Sequence, residues 1–215
     1  MKTISLNGMW KLSGRPEDGG DTITLDAQVP GCVQLDLSDA GILPNDLYMG
    51  ENILETEKFE GYEWHYERTF TAPEERERVY LVFDGVDCLA QYYLNGKKIG
   101  ESDNMFIRHE FEIGNDLIDG ENTLAVHLRS AVIEAHRESY SLGSMQTWGN
   151  APVQTGVRKA PHSFGWDIMP RAVTAGLWRD VSIEIRDTIS FSQLFLIPPS
   201  RNARSTTSLP ANGRI

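Results

Sequence analysis

The amino-acid sequence predicts an all-β fold, either a sandwich or a barrel, built mainly from antiparallel strands. Short runs of alternating apolar and polar residues dominate the chain, and this period of two is typical of strands that bury one face. Turn-forming residues separate the runs at intervals of roughly 8–12 residues, as in sandwiches and barrels. The chain has 215 residues, so it is long enough to bury a substantial core.

Three runs show the alternation most clearly, at residues 79–86, 123–129 and 180–187. The side chains predicted to face the core are Val79, Leu81, Phe83, Leu124, Val126, Leu128, Val181, Ile183 and Ile185. The positions between them are mostly polar, so these runs are predicted to be antiparallel strands with one solvated face.

Turn chemistry supports the same fold. Asn95-Gly96 lies between two strand-like runs, and an Asn-Gly pair readily adopts the two positive φ angles that a type I′ hairpin turn requires. Further turns are predicted at Gly85, Gly114-Asn115 and Asp119-Gly120.

One or two short helices are predicted beside the strands. The first is a short turn of helix at residues 33–40, and the second is a candidate segment at 130–140. In the second, the residues at i, i+4 and i+8 spacing are Val132, Ile133, His136 and Tyr140. Neither segment alternates with strands in the rhythm of a βαβ fold, so a parallel sheet is not predicted.

The composition of the chain changes near residues 187–190. One apolar run follows, and after it comes a tail rich in Ser, Pro, Arg and Asn, which is typical of a linker or a frayed terminus. We therefore predict a domain over residues 1–188 and a linker or truncated start of a following domain over 189–215. Residues 191–197 would be a last strand of the first domain or the opening strand of the next.

The charge of the chain argues against two classes of main partner. Twenty Lys and Arg against 31 Asp and Glu leave a formal net charge of −11, so nucleic acid and anionic membranes would be repelled at neutral pH. No apolar run reaches the ~20 residues of a membrane span, and the first ten residues lack the apolar core of a signal peptide. We predict a soluble chain with a neutral ligand, cytoplasmic, or periplasmic if a signal peptide has been removed.

The sequence predicts no metal site, no cofactor and no catalytic residue within this chain. None of its histidines has the spacing of a zinc site, so they are predicted to be isolated residues on surfaces or strand faces; they are His65, His109, His127, His136 and His162. No glycine-rich phosphate loop and no nucleophile elbow is present. Glu134 and Glu138 would lie one helical turn apart, but an exposed helix face explains such a pair better than a catalytic dyad does.

The cysteines do not form the dense framework that holds small secreted domains together. Cys32 and Cys88 could pair in principle. Two buried free thiols are the preferred interpretation.

The tryptophans point to a candidate site. Sugars stack their apolar C–H faces on indole rings, and carboxylates accept hydrogen bonds from sugar hydroxyls. Trp10, Trp64 and Trp178 lie in or beside predicted strands and are expected in the core, and Trp148 is a further candidate. Trp166 is followed by Asp167 in a segment, residues 158–175, that has no period-two pattern and contains Pro and Gly, so a long loop is predicted there.

Six segments together, spanning residues 5–187, resemble the N-terminal domain of glycoside hydrolase family 2, in its β-mannosidase branch. They are LNGMW (6–10), VPGCVQLDL (29–37), YEWHYERTF (62–70), FDGVDCLAQYYLNGKKIGESDNMF (83–106), GENTLAVHL (120–128), and VRKAPHSFGWD with GLWRDVSIE (157–167 and 176–184). Their order along the chain is also that of the family. The resemblance implies a jelly-roll-type β-sandwich, called the sugar-binding domain.

The resemblance also implies a longer parent enzyme. In that family an immunoglobulin-like domain and a TIM barrel follow, and the barrel carries the two catalytic glutamates, so this chain alone is expected to be inactive. The Trp-Asp loop reaches into the barrel's pocket and helps to bind the terminal mannose. Carried over by motif, Trp166 would wall the pocket and Asp167 would accept hydrogen bonds from the sugar.

The sequence departs from the family pattern directly after Asp167. The family usually reads WDWGP, whereas Ile168 and Met169 stand here in place of the second Trp and the Gly. The change bears on the neighbouring sugar contact and on the sugar preference. Arg158-Lys159 also matches the family motif, with a structural role in the loop as open as a role in substrate binding.

Two alternatives to the β-mannosidase hypothesis are kept. The first is the β-galactosidase or β-glucuronidase branch of the same family, which shares the LNG-x-W start and the Asn-Gly hairpin. The second concerns the isolated domain, which would be a stand-alone carbohydrate-binding module or a purely structural brace for the barrel.

Overall fold

The computed structural model describes residues 1–138 and 157–189, except for the side chain of Glu138. The strands are β1 (Lys2–Ser5), β2 (Gly8–Pro16), β3 (Ile23–Val29), β4 (Tyr62–Thr71), β5 (Val79–Phe83), β6 (Ala90–Leu94), β7 (Lys97–Ser102), β8 (His109–Glu112), β9 (Glu121–Leu128) and β10 (Val181–Ile185). The helices are α1 (Val33–Asp39) and α2 (Ala131–Glu138), and 3₁₀ segments cover Asn52–Phe59 and Pro161–Phe164.

The strands form two sheets, in which every pair of neighbours is antiparallel. The smaller sheet has the order β1-β10-β5-β8, and the larger has the order β3-β2-β4-β9-β6-β7. The prediction of an all-β sandwich of mainly antiparallel strands is confirmed. No helix in the described part of the chain is both long enough and apolar enough to cross a membrane.

The core lies between the two sheets and is rich in aromatic rings. Phe83 of the smaller sheet contacts Tyr92 of the larger one, with 4.6 Å between ring centroids, and Tyr92 lies 4.7 Å from Phe111. Trp10 and Tyr66 meet edge to face at 6.5 Å. Burial of such rings contributes strongly to stability because each removes a large apolar area from water.

The predicted alternation is confirmed for the core faces and is wrong at two outward positions. Of the nine predicted core residues, all but the partly buried Ile185 are fully buried. Val82 and Glu184, however, lie on the outer face of the smaller sheet and are also buried. Glu184 forms ion pairs there with Arg108 and Arg186. The long arginine side chains cover part of the outer face, which the alternation of apolar and polar residues predicts to be solvated.

The predicted hairpin turn and the first predicted helix are confirmed. The Asn95-Gly96 turn joins β6 to β7 with φ angles of 51° and 79°, which confirms the type I′ hairpin. Helix α1 is confirmed within one residue. Helix α2 covers the described part of the second candidate segment except Ser130, and Tyr140 lies outside the described residues.

The side chains that α2 buries most deeply are not those named from the i, i+4 and i+8 spacing. Ala131 and Ala135 are buried, whereas His136 is exposed. The alanines pack in a small cluster with Phe164 and Val173, because their small side chains allow the helix to approach this cluster closely. The 3₁₀ segments were not predicted, and the proposed last strand at 191–197 lies outside the described residues.

The segment before β10 reaches the end of the sandwich where β5 ends and β10 begins. The Gly31 N–H donates to the Leu177 carbonyl at 2.9 Å, and the Asp87 N–H donates to the Gly176 carbonyl at 2.8 Å. The connections that follow β3 and β5 therefore lie beside the predicted loop at 158–175, and they provide the residues that hold it in place.

Candidate functional site

The predicted loop at residues 158–175 precedes β10 and forms no strand of either sheet. It rises through the 3₁₀ segment Pro161–Phe164, turns at residues 166–169 and descends to Leu177. Phe164 is 1% exposed and Val173 is 6% exposed, so the two arms of the loop are anchored in the small cluster beneath α2.

The tip of the loop is a tight turn closed by Trp166 and Met169. The Trp166 N–H donates to the Met169 carbonyl at 3.0 Å, and the Met169 N–H donates to the Trp166 carbonyl at 3.1 Å. Asp167 and Ile168 are the two central residues of this turn. Trp166 is 63% exposed and Ile168 is 87% exposed, so an indole, a carboxylate and an aliphatic side chain project from the end of the sandwich.

The base of the loop is held by a buried ion pair. The Lys159 side chain is fully buried, and its Nζ donates to the two carboxylate oxygens of Asp87 at 2.6 and 2.5 Å. The same ammonium donates to the Thr174 carbonyl at 2.8 Å and lies 3.1 Å from the Thr174 hydroxyl. Lys159 is on the rising arm and Thr174 on the descending arm, so one cation links both arms to the β5–β6 connection.

A second ion pair lies nearer the tip. Arg171 donates from Nε and Nη2 to the two carboxylate oxygens of Glu60, each at 2.7 Å, and from Nη1 to the Phe164 carbonyl at 3.2 Å. Both charged side chains of the pair are largely buried. Planar two-point pairing of this kind fixes orientation as well as distance.

The descending arm also binds the connection from β3 to α1. Gln34 donates from Nε2 to the Val173 carbonyl at 3.1 Å, and the Val33 N–H donates to the Ala175 carbonyl at 2.8 Å. Gly176 pairs with Asp87 through backbone hydrogen bonds, and a Cβ on Gly176 would lie 2.8 Å from the Gly31 carbonyl oxygen. The close approach of these backbones explains the glycine at this position.

A cleft of about 440 Å³ lies where the descending arm leads into β10. Phe106 contributes an exposed ring, and Trp178 lies below the guanidinium of Arg179 at 4.2 Å. The remaining lining residues are Pro30, Asp84, Arg108 and Asp180. The expectation that Trp178 is a core residue is wrong, because its side chain is only half-buried. Its indole N–H donates to the Met105 carbonyl at 3.3 Å, at the rim of the cleft.

Two of the other tryptophans lie in the core, and the Arg158-Lys159 pair has one exposed and one buried side chain. Trp10 and Trp64 are buried, which confirms their core assignment, and Trp148 lies outside the described residues. Arg158 is exposed, whereas Lys159 is buried. Lys159 therefore has the structural role in the loop that was one of its two predicted roles.

Two of the histidines are not isolated, contrary to prediction. The register of β4 and β9 places His65 opposite His127, with 6.3 Å between the ring centroids. His127 Nε2 lies 3.0 Å from a Glu63 carboxylate oxygen, and burial, with the neighbouring His127, lowers the pKa of His65. These residues line a cleft of about 310 Å³ on the outer face of the larger sheet.

Metal-binding and catalytic groups were not predicted. Within residues 1–138 and 157–189, no group of three or more His, Cys, Asp and Glu side chains could hold a metal ion. Glu134 forms ion pairs with Arg129 and Arg137, while the side chain of Glu138 lies outside the described residues. Cys32 and Cys88 are free as predicted, although Cys32 is only partly buried.

Comparison with known proteins identifies relatives over most of the chain. The family described as "Glycosyl hydrolase 2 galactose-binding domain-like" matches residues 10–179. The β-mannosidase of Capra hircus is 33% identical over 96% of this chain, and β-mannosidase B of Thermothelomyces thermophilus is 34% identical over 86% of it. The chain spans only 24% and 22% of the lengths of these two curated relatives.

Solved structures give the same picture. The β-D-mannosidase of Dictyoglomus thermophilum superposes with a TM-score of 0.78 at 38% identity, over 86% of this chain and 22% of that one. The β-glucuronidase of Bifidobacterium dentium superposes with a TM-score of 0.53 at 22% identity, over 85% of this chain and 29% of that one. The second likeness extends to the fold alone.

Proposed function

Because the chain belongs to the glycosyl hydrolase 2 galactose-binding domain-like family, we propose that it is the N-terminal sugar-binding domain of a longer, retaining exo-β-mannosidase. In this proposal the chain supplies a loop to the substrate pocket, and a TIM barrel elsewhere in the longer protein carries the catalytic glutamates. Trp166 and Asp167 contact the terminal β-mannoside, while the sandwich packs against the rest of the enzyme.

The observation that carries the proposal is the exposed Trp166-Asp167 tip on an anchored loop. An exposed indole on a fixed arm offers a flat apolar face to a sugar ring. The adjacent carboxylate is acceptor-only when ionised, which suits hydrogen bonds from two vicinal hydroxyls. The 63% exposed Trp166 and the 87% exposed Ile168 leave apolar area in water, which a partner surface or a ligand would cover.

The proposal is tested by replacing Asp167 with Asn in the longer protein. Loss of charge-assisted hydrogen bonds, worth about 1.5–3 kcal/mol each, should lower kcat/KM on an aryl β-mannoside by roughly 10–100-fold. Asp18→Asn is the matched control, because Asp18 is an exposed carboxylate in another part of the chain. Equal kcat/KM for the Asp167→Asn variant and the parent enzyme would refute the assignment.

A stand-alone carbohydrate-binding module is the second candidate function. The 440 Å³ cleft supports it, because an exposed Phe106 ring and the carboxylates of Asp84 and Asp180 offer stacking and hydrogen bonding to a neutral sugar. Calorimetric titration of the 215-residue chain with mannose and manno-oligosaccharides separates the two. Binding at millimolar concentration or tighter supports the module, and the absence of heat supports the first proposal.

The β-mannosidase branch is favoured over the β-galactosidase and β-glucuronidase branches. The three β-mannosidases compared above are 33–38% identical to this chain over 86–96% of its length. Assays of the longer protein with the three aryl β-glycosides test this choice, since hydrolysis of the galactoside or glucuronide in preference to the mannoside would move the protein to another branch.

A further inference from the structure

Lys159 and Arg171 stand out because each links the two arms of the loop at a different height. Lys159 joins the rising arm to Thr174 and to Asp87. Arg171 joins the descending arm to the Phe164 carbonyl and to Glu60. Neither side chain reaches the exposed tip. Their place in the loop points to a role that acts on the tip through the backbone.

We propose that Lys159 and Arg171 are positioning residues, which form a two-level clamp that holds the Trp166-Asp167 turn rigid and correctly aimed before any sugar arrives. The inference rests on the proposed function for its purpose, but its geometry is independent of it. Preorganised loops bind more tightly because little conformational entropy is lost on binding.

The lower level of the clamp is the buried Lys159–Asp87 pair. A buried ammonium is unfavourable unless its charge is balanced and its protons are donated. Here Asp87 balances the charge and the Thr174 carbonyl accepts a hydrogen bond from the ammonium, while the Thr174 hydroxyl donates to Asp87 Oδ2 at 2.7 Å. Since Asp87 is also joined to Gly176 by backbone hydrogen bonds, both arms are bound at their base to the sandwich.

The upper level of the clamp is the Arg171–Glu60 pair, five residues from Trp166. The short distance along the chain matters because only the tight turn itself lies beyond it. Directly below the turn, Ala172 donates its N–H to the Ser163 carbonyl at 2.9 Å, and Gly165 adopts a φ of 96°. Arg171 fixes the point from which the turn projects, and Gly165 allows the sharp change of direction there.

Amide hydrogen exchange on the 215-residue chain tests the clamp. The reporters are the N–H groups of Trp166, Met169 and Ala172, which all donate within the loop. We expect Arg171→Gln to accelerate their exchange at least ~10-fold, with amides of β5 and β10 unchanged. Arg158→Met is the matched control, because Arg158 is an exposed cation of the same loop, and it should leave the three amides protected.

Lys159→Met requires a second variant, because an unpaired Asp87 would destabilise the whole domain. Its melting temperature should fall by roughly 10 °C, and the double variant Lys159→Met with Asp87→Asn should recover most of that loss. The bridge to Thr174 is still missing in the double variant, so the loop amides should exchange quickly although the fold is stable. Protected loop amides in both the double variant and Arg171→Gln would overturn the clamp.

The outcome for the clamp and the outcome for the proposed function are separable. In the longer protein, Arg171→Gln should lower kcat/KM on the aryl β-mannoside roughly 10-fold, whereas Arg15→Gln, at an exposed arginine outside the loop, should not. Fast exchange in Arg171→Gln together with a silent Asp167→Asn supports the clamp and refutes the sugar contact. Unchanged exchange together with a damaging Asp167→Asn refutes the clamp and supports the contact.

Discussion

The ring of Trp64 occupies the place where a side chain at Gly14 would begin. The two residues are paired across the β2–β4 ladder, and a Cβ on Gly14 would lie 2.2 Å from Trp64 Cζ3. The buried ring therefore covers the backbone of β2, and it stacks on Tyr62 with 5.4 Å between centroids. The glycine makes room for the largest side chain in this part of the core.

Gly14→Ala should destabilise the domain by about 1–3 kcal/mol, because the indole has to move against a close-packed core. Gly61→Ala serves as the control, since a Cβ on Gly61 meets nothing within 4 Å. Urea unfolding of both variants measures the difference. If Gly14→Ala unfolds at the same urea concentration as Gly61→Ala, the ring does not restrict position 14.

The features predicted from sequence are those that depend on neighbours along the chain. The Asn95-Gly96 hairpin follows from the φ preferences of two adjacent residues, and the loop around Trp166 follows from the loss of the period of two between two regular segments. The roles of Trp166 and Asp167 remain a prediction.

The features that were missed depend on pairing across the fold. Lys159 and Asp87 are 72 residues apart, and Glu60 and Arg171 are 111 apart. A charged residue in a sequence does not identify its partner, so neither ion pair could be predicted. The His65–His127 contact likewise depends on the register of β4 and β9, which alternation alone leaves undetermined.

Asp36 makes the stability of the domain depend on pH. It is 4% exposed, and its Oδ2 has no hydrogen-bond partner among the described residues. Burial raises the pKa of Asp36 from its ordinary 3.8 to about 6, and the hydrogen bond from the Gln28 N–H opposes that rise. The folded state therefore binds the proton more tightly, and this contribution to stability, present below pH ~4, is lost as pH rises through 6.

Asp36→Asn should remove that dependence. Relative to the parent chain, the variant should gain up to about 3 kcal/mol in free energy of unfolding between pH 4 and pH 7, since each pKa unit corresponds to ~1.4 kcal/mol. Urea unfolding of both proteins at several pH values measures the difference and cancels the other titrating groups. Parallel pH profiles for the two proteins would show that Asp36 titrates alike in the folded and unfolded states.

The two thiols should differ in reactivity. Burial, with the negative charge of Asp87, raises the pKa of Cys88 to about 12, and burial also raises the pKa of the partly buried Cys32. At pH 8 the thiolate fraction of Cys88 is on the order of 10⁻⁴, and the thiolate is the reactive form.

Iodoacetamide should therefore modify Cys88 at least ~100-fold more slowly in the folded chain than in urea. Cys32, which is more accessible, should be modified first. Peptide mapping by mass spectrometry after timed quenching reports both sites, and the urea sample is the control. Equal labelling of Cys88 with and without urea would contradict its burial.

Ile168 provides the last test, because it stands where the family pattern has a second tryptophan. Its side chain is 87% exposed at the turn that Trp166 and Met169 close, so Ile168→Trp should change stability by less than ~0.5 kcal/mol. If the tip borders the sugar pocket of the longer protein, the added indole should lower KM for an aryl β-mannoside about 3–10-fold, the equivalent of one aromatic contact. Ile118→Trp adds the same ring at another exposed position and should leave KM unchanged. The same KM for both variants would mean that Ile168 lies outside the pocket and does not influence the sugar preference.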